Sequence, residues 1–192
     1  MKQPRVFSRG MVIDGAFELL RTRGRRAVTA REVAKQIGSS TMPIYSHMKS
    51  LDDLEVDLRQ KTLDLLKEYQ QRTYTPEALL NISIGYVVFA RDEPELFKYL
   101  FIESRPRQEE NKQISMRDAF FSSFTEESPE MKVLKQMSPE AQEQLMRNTH
   151  IYTHGLAMLA HMNMLGPWDT DRIVSCLNDA GQAFYMLEHT RE

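Results

Sequence analysis

Four neighbouring side chains, Ser39, Ser40, Thr41 and Met42, combine hydrogen-bonding hydroxyl groups with methyl groups. Hydroxyl groups can donate to phosphate or base oxygens, and the methyl groups of Thr41 and Met42 can pack against the methyl group of thymine. None of the four can form the bidentate arginine–guanine or asparagine/glutamine–adenine pairs that give the sharpest base recognition. If the stretch meets DNA, its chemistry therefore predicts a partial preference for A·T base pairs.

The residues before this stretch predict a short helix that ends in a glycine turn. Thr29 is a preferred N-cap residue, and Glu32 completes a capping box, in which each side chain bonds the backbone N–H of the other residue. Gly38 stands where the helix must end, because glycine tolerates the left-handed backbone conformation of that position. The apolar stripe between them consists of Val33, Ala34 and Ile37.

A second short helix is predicted to follow, with Ser39 or Ser40 as its N-cap. Pro43 falls in the first turn, where a missing backbone N–H costs nothing because it has no partner within the helix. Two such helices with a short turn form a helix-turn-helix, whose second helix typically enters the DNA major groove. The positive N-terminal end of the first helix also favours a phosphate near Thr29.

An earlier helix, predicted over about residues 8–22, supplies the apolar face that this helix pair needs to bury. That face consists of Ile13, Ala16, Phe17 and Leu20.

The distribution of charge along the sequence indicates that the N-terminal part of the chain has a role of its own. Residues 1–50 hold 10 Lys and Arg against 3 acidic residues, a net charge of +7, whereas residues 51–192 carry −9. A basic head on an acidic body suits a DNA-binding module joined to something that does not bind DNA.

Residues 9–58 resemble the TetR-type transcriptional regulators. The resemblance covers the apolar first helix with Gly24 at its end, Thr29, the Val33–Ala34 pair and the Gly38-x-Ser40 turn. It continues through Ile44, Tyr45, His47, Lys49 and Leu54. Met48 departs from the pattern, since the family usually has an aromatic residue there, and so does Ser39, where an aliphatic residue is common.

In that family the positions of Tyr45, His47 and Lys49 typically contact backbone phosphates. The resemblance also implies that the helix over about residues 50–71, capped by Ser50, connects the DNA-binding head to the body and transmits changes between them. The predicted DNA contacts are therefore Thr29, Arg31, Ser39, Ser40, Thr41, Met42, Tyr45, His47 and Lys49.

Three segments organise the chain as an all-α protein: a three-helix helix-turn-helix head over 1–50, a connecting helix over 51–72 and a helical regulatory and dimerisation body over 73–192. Thr75 and Pro76 are predicted to start a helix in the body, and Pro94 another. Two long helices follow, from about Pro139 to Leu165 and from about Thr170 to His189. Their small residues permit close helix contact, either within the chain or, as the resemblance implies, in a homodimer that binds a palindromic operator.

The sequence contains 12 methionines and nine phenylalanines, which can line an adaptable apolar pocket but also fill ordinary cores. We expect a small apolar or aromatic effector to bind in the body and release the DNA. The residues predicted to bind it are Phe89, Phe97, Phe101, Phe120, Phe124 and His150.

Other chemistries find little support. His150, His154 and His161 share one helix face, but no carboxylate or cysteine at matching spacing accompanies them, so neither a metal nor a cofactor is predicted. The motifs of phosphate-binding loops, serine hydrolases and zinc proteases are missing from the sequence.

The first ten residues lack an apolar signal segment, no apolar run is long enough to span a membrane, and Cys176 is the single cysteine. A cytoplasmic, non-enzymatic regulator is expected. The alternative is a helical protein-interaction module of the same fold without specific DNA binding.

Overall fold

The computed structural model describes residues 7–48, 50–103, 134–164 and 166–189, and these residues contain α-helices and no strand. The all-α prediction is therefore confirmed for this part of the chain. The chain divides into two compact units. Unit 1 contains the described residues of 1–64 and 93–105, and unit 2 contains those of 65–92 and 106–192.

Unit 1 is built from four complete helices and the first two-thirds of a fifth. They are α1 (Arg9–Arg23), α2 (Ala30–Ile37), α3 (Met42–His47), α4 (Leu51–Gln70, up to Asp64) and α6 (Pro94–Phe101). Helix α1 packs against α2, α3 and α6. The bounds of α1 differ by one residue at each end from those of the helix predicted over 8–22. Ser8 caps it by accepting a hydrogen bond from the Met11 backbone N–H.

Helix α2 begins and ends as its sequence predicts. The Thr29 side chain accepts a hydrogen bond from the Glu32 N–H at 3.2 Å, which is one half of the expected capping box. The other half is wrong, since the Glu32 carboxylate accepts a hydrogen bond from Arg23 instead. Gly38 has φ 68° and ψ 40°, the left-handed conformation in which most side chains would be strained.

The prediction that Ser39 or Ser40 caps α3 is wrong. Thr41 is the N-cap residue, and its side chain makes no capping hydrogen bond. The Ser39 hydroxyl instead donates to the Ser40 carbonyl at 2.8 Å, so that side chain is used within the turn. Pro43 lies in the first turn of α3 as expected.

The core of unit 1 forms around α1 and the buried faces of its neighbours. Its side chains are 0–7% exposed because each helix presents one apolar stripe to the others. The core consists of Val12, Ala16, Phe17, Leu19, Leu20, Val33, Ala34, Ile44, Met48, Leu54, Leu58, Leu96, Phe97, Tyr99 and Leu100. Met48, the departure from the TetR pattern, is 2% exposed and fills a core position.

Unit 2 contains the end of α4 from Leu65 together with α5 (Ala78–Asp92), α7 (Pro139–His161) and α8 (Thr170–His189). Helix α5 packs against α7 and α8, and every residue over 81–90 is buried. Helix α5 starts later than predicted. Thr75 and Pro76 belong to a turn in which the Asn81 side chain accepts from two backbone N–H groups and donates to the Thr75 carbonyl.

Helix α7 ends at His161, four residues before the predicted end at Leu165. Asn163 has φ 50°, which turns the chain out of the helix, and the Trp168 indole donates to the Met164 carbonyl at 2.7 Å. Arg91 of α5 donates to the Trp168 carbonyl at 2.9 Å. The Asn163 and Met164 N–H groups donate to the carbonyls of Ala160 and Leu159, and these two bonds replace the helical hydrogen bonds of a longer α7. Helix α8 has the predicted bounds.

Within the described residues, no helix combines the length and apolarity that crossing a bilayer requires.

Candidate nucleic-acid interface

Helix α3 has one buried and one exposed face, although it is only six residues long. Ile44 is 1% exposed and anchors the helix in the core of unit 1. On the other side, Met42 is 76% and Tyr45 is 65% exposed. Such exposure of two large apolar side chains on one short helix is the pattern expected of a contact surface, because burying them elsewhere would stabilise the chain.

The predicted base contacts lie together on this exposed surface. Ser40 and Thr41 are exposed beside Met42, whereas Ser39 is half-buried and its hydroxyl is bonded to the Ser40 carbonyl. The exposed group therefore offers two hydroxyls, a thioether and a phenol to a partner. Lys49 lies outside the described residues.

The N-terminal end of α2 offers a second polar group. The Thr29 hydroxyl oxygen accepts from the Glu32 N–H, so its own hydrogen remains able to donate to an anion. Arg31, the second residue of the helix, is exposed. The Arg23 guanidinium lies 2.7 Å from the Glu32 carboxylate, and this hydrogen bond lowers the pKa of Glu32 below its usual value. Arg23 thereby offsets a negative charge that would otherwise repel a phosphate at this helix end.

The His47 ring already has a hydrogen-bond partner within the chain, unlike a side chain that is free to contact a phosphate. Its ring Nε2 lies 2.6 Å from the Phe7 carbonyl oxygen, and because a carbonyl can only accept, Nε2 must carry the hydrogen. Arg9 donates to the His47 carbonyl at 3.4 Å and pairs with Asp57 at 2.7 Å. A neutral His47 ring then has only an acceptor left, at Nδ1, so contact with a phosphate requires the imidazolium form.

Much of the positive charge near α1 is already compensated within unit 1. Arg9, Arg21, Arg23 and Arg25 each pair with a carboxylate, of Asp57, Glu93, Glu32 and Glu55 respectively. Among the described residues of 7–48, the basic side chains that form no salt bridge are Arg26, Arg31 and Lys35, and all three are exposed. They are the cations best able to replace the counterions of a nucleic acid.

The residues predicted to bind an effector are divided between the two units and the part of the chain that the structure does not describe. Phe97 and Phe101 belong to unit 1, with ring centroids 5.0 Å apart, whereas Phe89 and His150 belong to unit 2. Phe89 is fully buried and meets the edge of Tyr69 at 5.5 Å. Phe120 and Phe124 lie outside the described residues.

Unit 2 also contains a polar pair, the buried Tyr86 and the half-buried His154, that the sequence did not indicate. The Tyr86 hydroxyl and His154 Nδ1 are 2.9 Å apart, and the rings of His150 and His154 stack at 6.2 Å. Burial raises the pKa of Tyr86 and lowers the pKa of His154, so both groups favour their neutral forms. Sequence spacing shows which histidines share a face, but not that a tyrosine from α5 reaches one of them.

An exposed apolar surface follows α7 and α8. Ile151 is 63% and Met186 is 67% exposed, and Tyr152 meets Phe184 at 6.0 Å between ring centroids. A Cβ atom added at Gly155 or Gly181 would have no neighbour within 4 Å. The surface therefore has open space beside small residues, where another helix can approach closely.

The described residues contain no group of three or more His, Cys, Asp or Glu side chains with the geometry to hold a metal ion. A scan of the chain against models of known protein families finds no match. A search of curated proteins finds no significantly similar sequence.

Proposed function

We propose that this chain is a TetR-type, sequence-specific DNA-binding regulator that acts as a homodimer on a palindromic operator. The observation that carries the proposal is the α2–α3 pair. A capped helix, a left-handed Gly38 and a short second helix hold Ser40, Thr41, Met42 and Tyr45 exposed while Ile44 holds the helix in the core. This arrangement supports the proposal, since a helix-turn-helix presents the exposed side of its second helix to the major groove.

The distribution of charge supports the same proposal. Arg26, Arg31 and Lys35 are exposed and form no salt bridge within the described residues, and they lie in α2 or in the turn that precedes it. Phosphate contacts from such cations supply most of the sequence-independent affinity, while the exposed side chains of α3 would select the bases. Thr41 and Met42 favour thymine methyl groups.

The C-terminal part of the chain serves regulation in this proposal. A small apolar or aromatic effector binds the C-terminal part of the chain and releases the DNA, so the protein acts as a repressor in the cytoplasm. The apolar core of α5 and its neutral Tyr86–His154 pair support an uncharged ligand, because a buried anion there would have no cation among these groups. The exposed surface of α7 and α8 supports dimerisation.

A helical protein-interaction module of the same fold is the second candidate. The exposed Met42 and Tyr45 favour it as well, since large apolar side chains on a surface also serve protein partners. The two candidates differ in how their binding affinity changes with salt concentration, because phosphate contacts release counterions and an apolar protein contact does not.

Selection of bound duplexes from a random pool, followed by a salt titration of the best sequence, tests the proposal. A palindromic motif with half-sites about one helical turn apart, and affinity that falls steeply with salt, is the expected result. Recovery of no motif, or weak salt-sensitive binding to every duplex, would contradict sequence recognition and favour the interaction module.

Replacement of Arg31 by alanine should weaken binding to all duplexes alike. The side chain is exposed and forms no salt bridge in the described residues, so the fold loses nothing. A dimer loses two phosphate contacts, and the slope of log affinity against log salt should become about 2 units less steep. Fluorescence anisotropy at several salt concentrations measures both quantities. Lys67→Ala, the same loss of charge at an exposed residue of unit 2, is the control and should leave the slope unchanged.

Replacement of Gly155 by arginine should convert the dimer into monomers. The position is open in the chain itself, so the added side chain costs unit 2 little, but a charged side chain blocks a close helix contact and would be buried without a partner. Analytical ultracentrifugation should show the mass fall from twice 22.4 kDa to 22.4 kDa. Glu143→Arg, at an exposed residue of the same helix, should remain dimeric. A dimeric Gly155→Arg would show that this surface is not the interface.

A further inference from the structure

Unit 1 contains a partly open cavity of about 150 Å³ that has no role in the proposed contact with DNA. It lies among the turn after α1, the N-terminal half of α4 and helix α6. The residues that line it are Arg25, Val28, Leu51, Leu54, Glu55, Leu58 and Tyr99.

Apart from Arg25 and Glu55, the residues that line this cavity are apolar or aromatic, and three of them are well fixed. Leu54 and Leu58 are each 1% exposed and belong to the core of unit 1, and the Tyr99 ring is held by a hydrogen bond from its hydroxyl to the Glu55 carbonyl at 3.1 Å. Burial raises the pKa of Tyr99 to about 12, so the phenol keeps its hydrogen and this bond at neutral pH. Leu51 is 43% exposed and lies at the open side.

The charged groups beside the cavity are satisfied by one another. The Arg25 guanidinium lies 2.5 Å from the Glu55 carboxylate, and its Nη1 donates to the Glu103 carbonyl at 3.4 Å. An anionic ligand would have to compete with Glu55 for Arg25, and a cationic ligand would have to compete with Arg25 for Glu55. A neutral ligand disturbs neither group and gains from the apolar walls.

The volume limits the size of the ligand. An enclosed cavity of about 150 Å³ with walls of leucine, isoleucine and phenylalanine side chains can bind benzene. We propose that this cavity is a binding site for a small neutral aromatic molecule of the size of benzene or toluene. None of the residues that line the cavity is among those predicted to bind the effector, and its occupation does not depend on whether the chain binds DNA.

Titration of the full chain with toluene tests the site directly. Methyl groups of Val28, Leu51, Leu54 and Leu58, labelled with ¹³C, should shift together with half-saturation on the order of 1 mM. Methyl groups of Leu66 and Ile173, which belong to the core of unit 2, should not shift. No shift of the four lining residues, or shifts confined to other residues, would overturn the proposal.

Two comparisons sharpen this test. Leu51→Phe should fill the open side and weaken toluene binding at least about tenfold, whereas Val56→Phe, an exposed α4 residue that does not line the cavity, should change it less than about twofold. Equal weakening by both variants would contradict the assignment.

Benzoate has a similar ring but carries a negative charge, and it should bind at least about tenfold more weakly than toluene. If benzoate binds as tightly as toluene, the proposal that the ligand is neutral is wrong. If Leu51→Phe fails to fold, the methyl titration of the parent chain still tests the location of the site.

Discussion

Replacement of Gly85 by alanine should lower the free energy of unfolding by at least about 3 kcal/mol, although it adds a single methyl group. A Cβ atom at this position would lie 2.6 Å from both the Gln70 Cα and the Tyr69 carbonyl carbon, and nearer still to the Tyr69 carbonyl oxygen. Real Cβ atoms essentially never approach other heavy atoms within 3.0 Å. The obstacle is backbone, so no side chain can rotate away, and the end of α4 must separate from α5.

Urea denaturation followed by far-UV circular dichroism measures this loss. Gly10→Ala is the control, because it makes the same change in another helix, where the added Cβ would meet only the Ser8 hydroxyl at an ordinary 3.8 Å. We expect that variant to stay within about 0.5 kcal/mol of the parent chain. A Gly85→Ala chain as stable as the parent would show that α4 and α5 do not pack as closely as the structure describes.

Gly85 also illustrates what the sequence could not reveal. A glycine inside a helical pattern costs stability on its own, and only the packing partner explains why it is there. The partner is a backbone segment 15 residues earlier, and no local pattern points to it. By contrast, Gly38 could be predicted, because a helix end requires its left-handed conformation and depends on the few residues around it.

Local signals of the same kind account for most of the correct helix boundaries. Ser8, Ser50 and Ser138 each cap the helix that follows by accepting a backbone N–H. The wrong boundaries arise where side chains have competing partners. Thr75 is a good capping residue, but the Asn81 side chain takes its backbone N–H and carbonyl into a turn, so the helix starts at Ala78 instead.

In the candidate contact surface, the features that depend on local sequence could be predicted and the long-range ion pairs could not. The exposed positions of Met42 and Tyr45 follow from helical spacing around the buried Ile44. The pairing of Arg21 with Glu93 could not be foreseen, since the two residues are 72 positions apart and nothing in the sequence relates them. The net charge of +7 over residues 1–50 therefore overstates the charge that is available to a nucleic acid, because Arg9, Arg21 and Arg25 are paired with carboxylates from outside this range.

Replacement of Met42 by glutamate should reduce the affinity for the selected operator at least about 100-fold. The side chain is 76% exposed at the first position of α3, so the fold loses no packing, and a carboxylate near a helix N-terminus is favourable. In the proposed complex the same carboxylate would face base edges and phosphates in both half-sites, and like charges brought together cost several kcal/mol. Val56→Glu adds the same charge at a 59% exposed position of α4 and should change the affinity only slightly. If both variants bind equally well, α3 is not the element that enters the groove.

Met42→Gln separates the effect of charge from that of base recognition. Glutamine is neutral and close to methionine in length, so the affinity for random duplexes should remain that of the parent chain. Its amide can bond adenine through both N6 and N7, a pair that contributes about 1–3 kcal/mol of discrimination, whereas the methionine thioether can only pack against a thymine methyl. Selection with this variant should therefore change the preferred base at one position in each half-site and leave the spacing of the half-sites intact. A change in spacing, or an unchanged motif, would mean that Met42 lies outside the groove and that other side chains read the sequence.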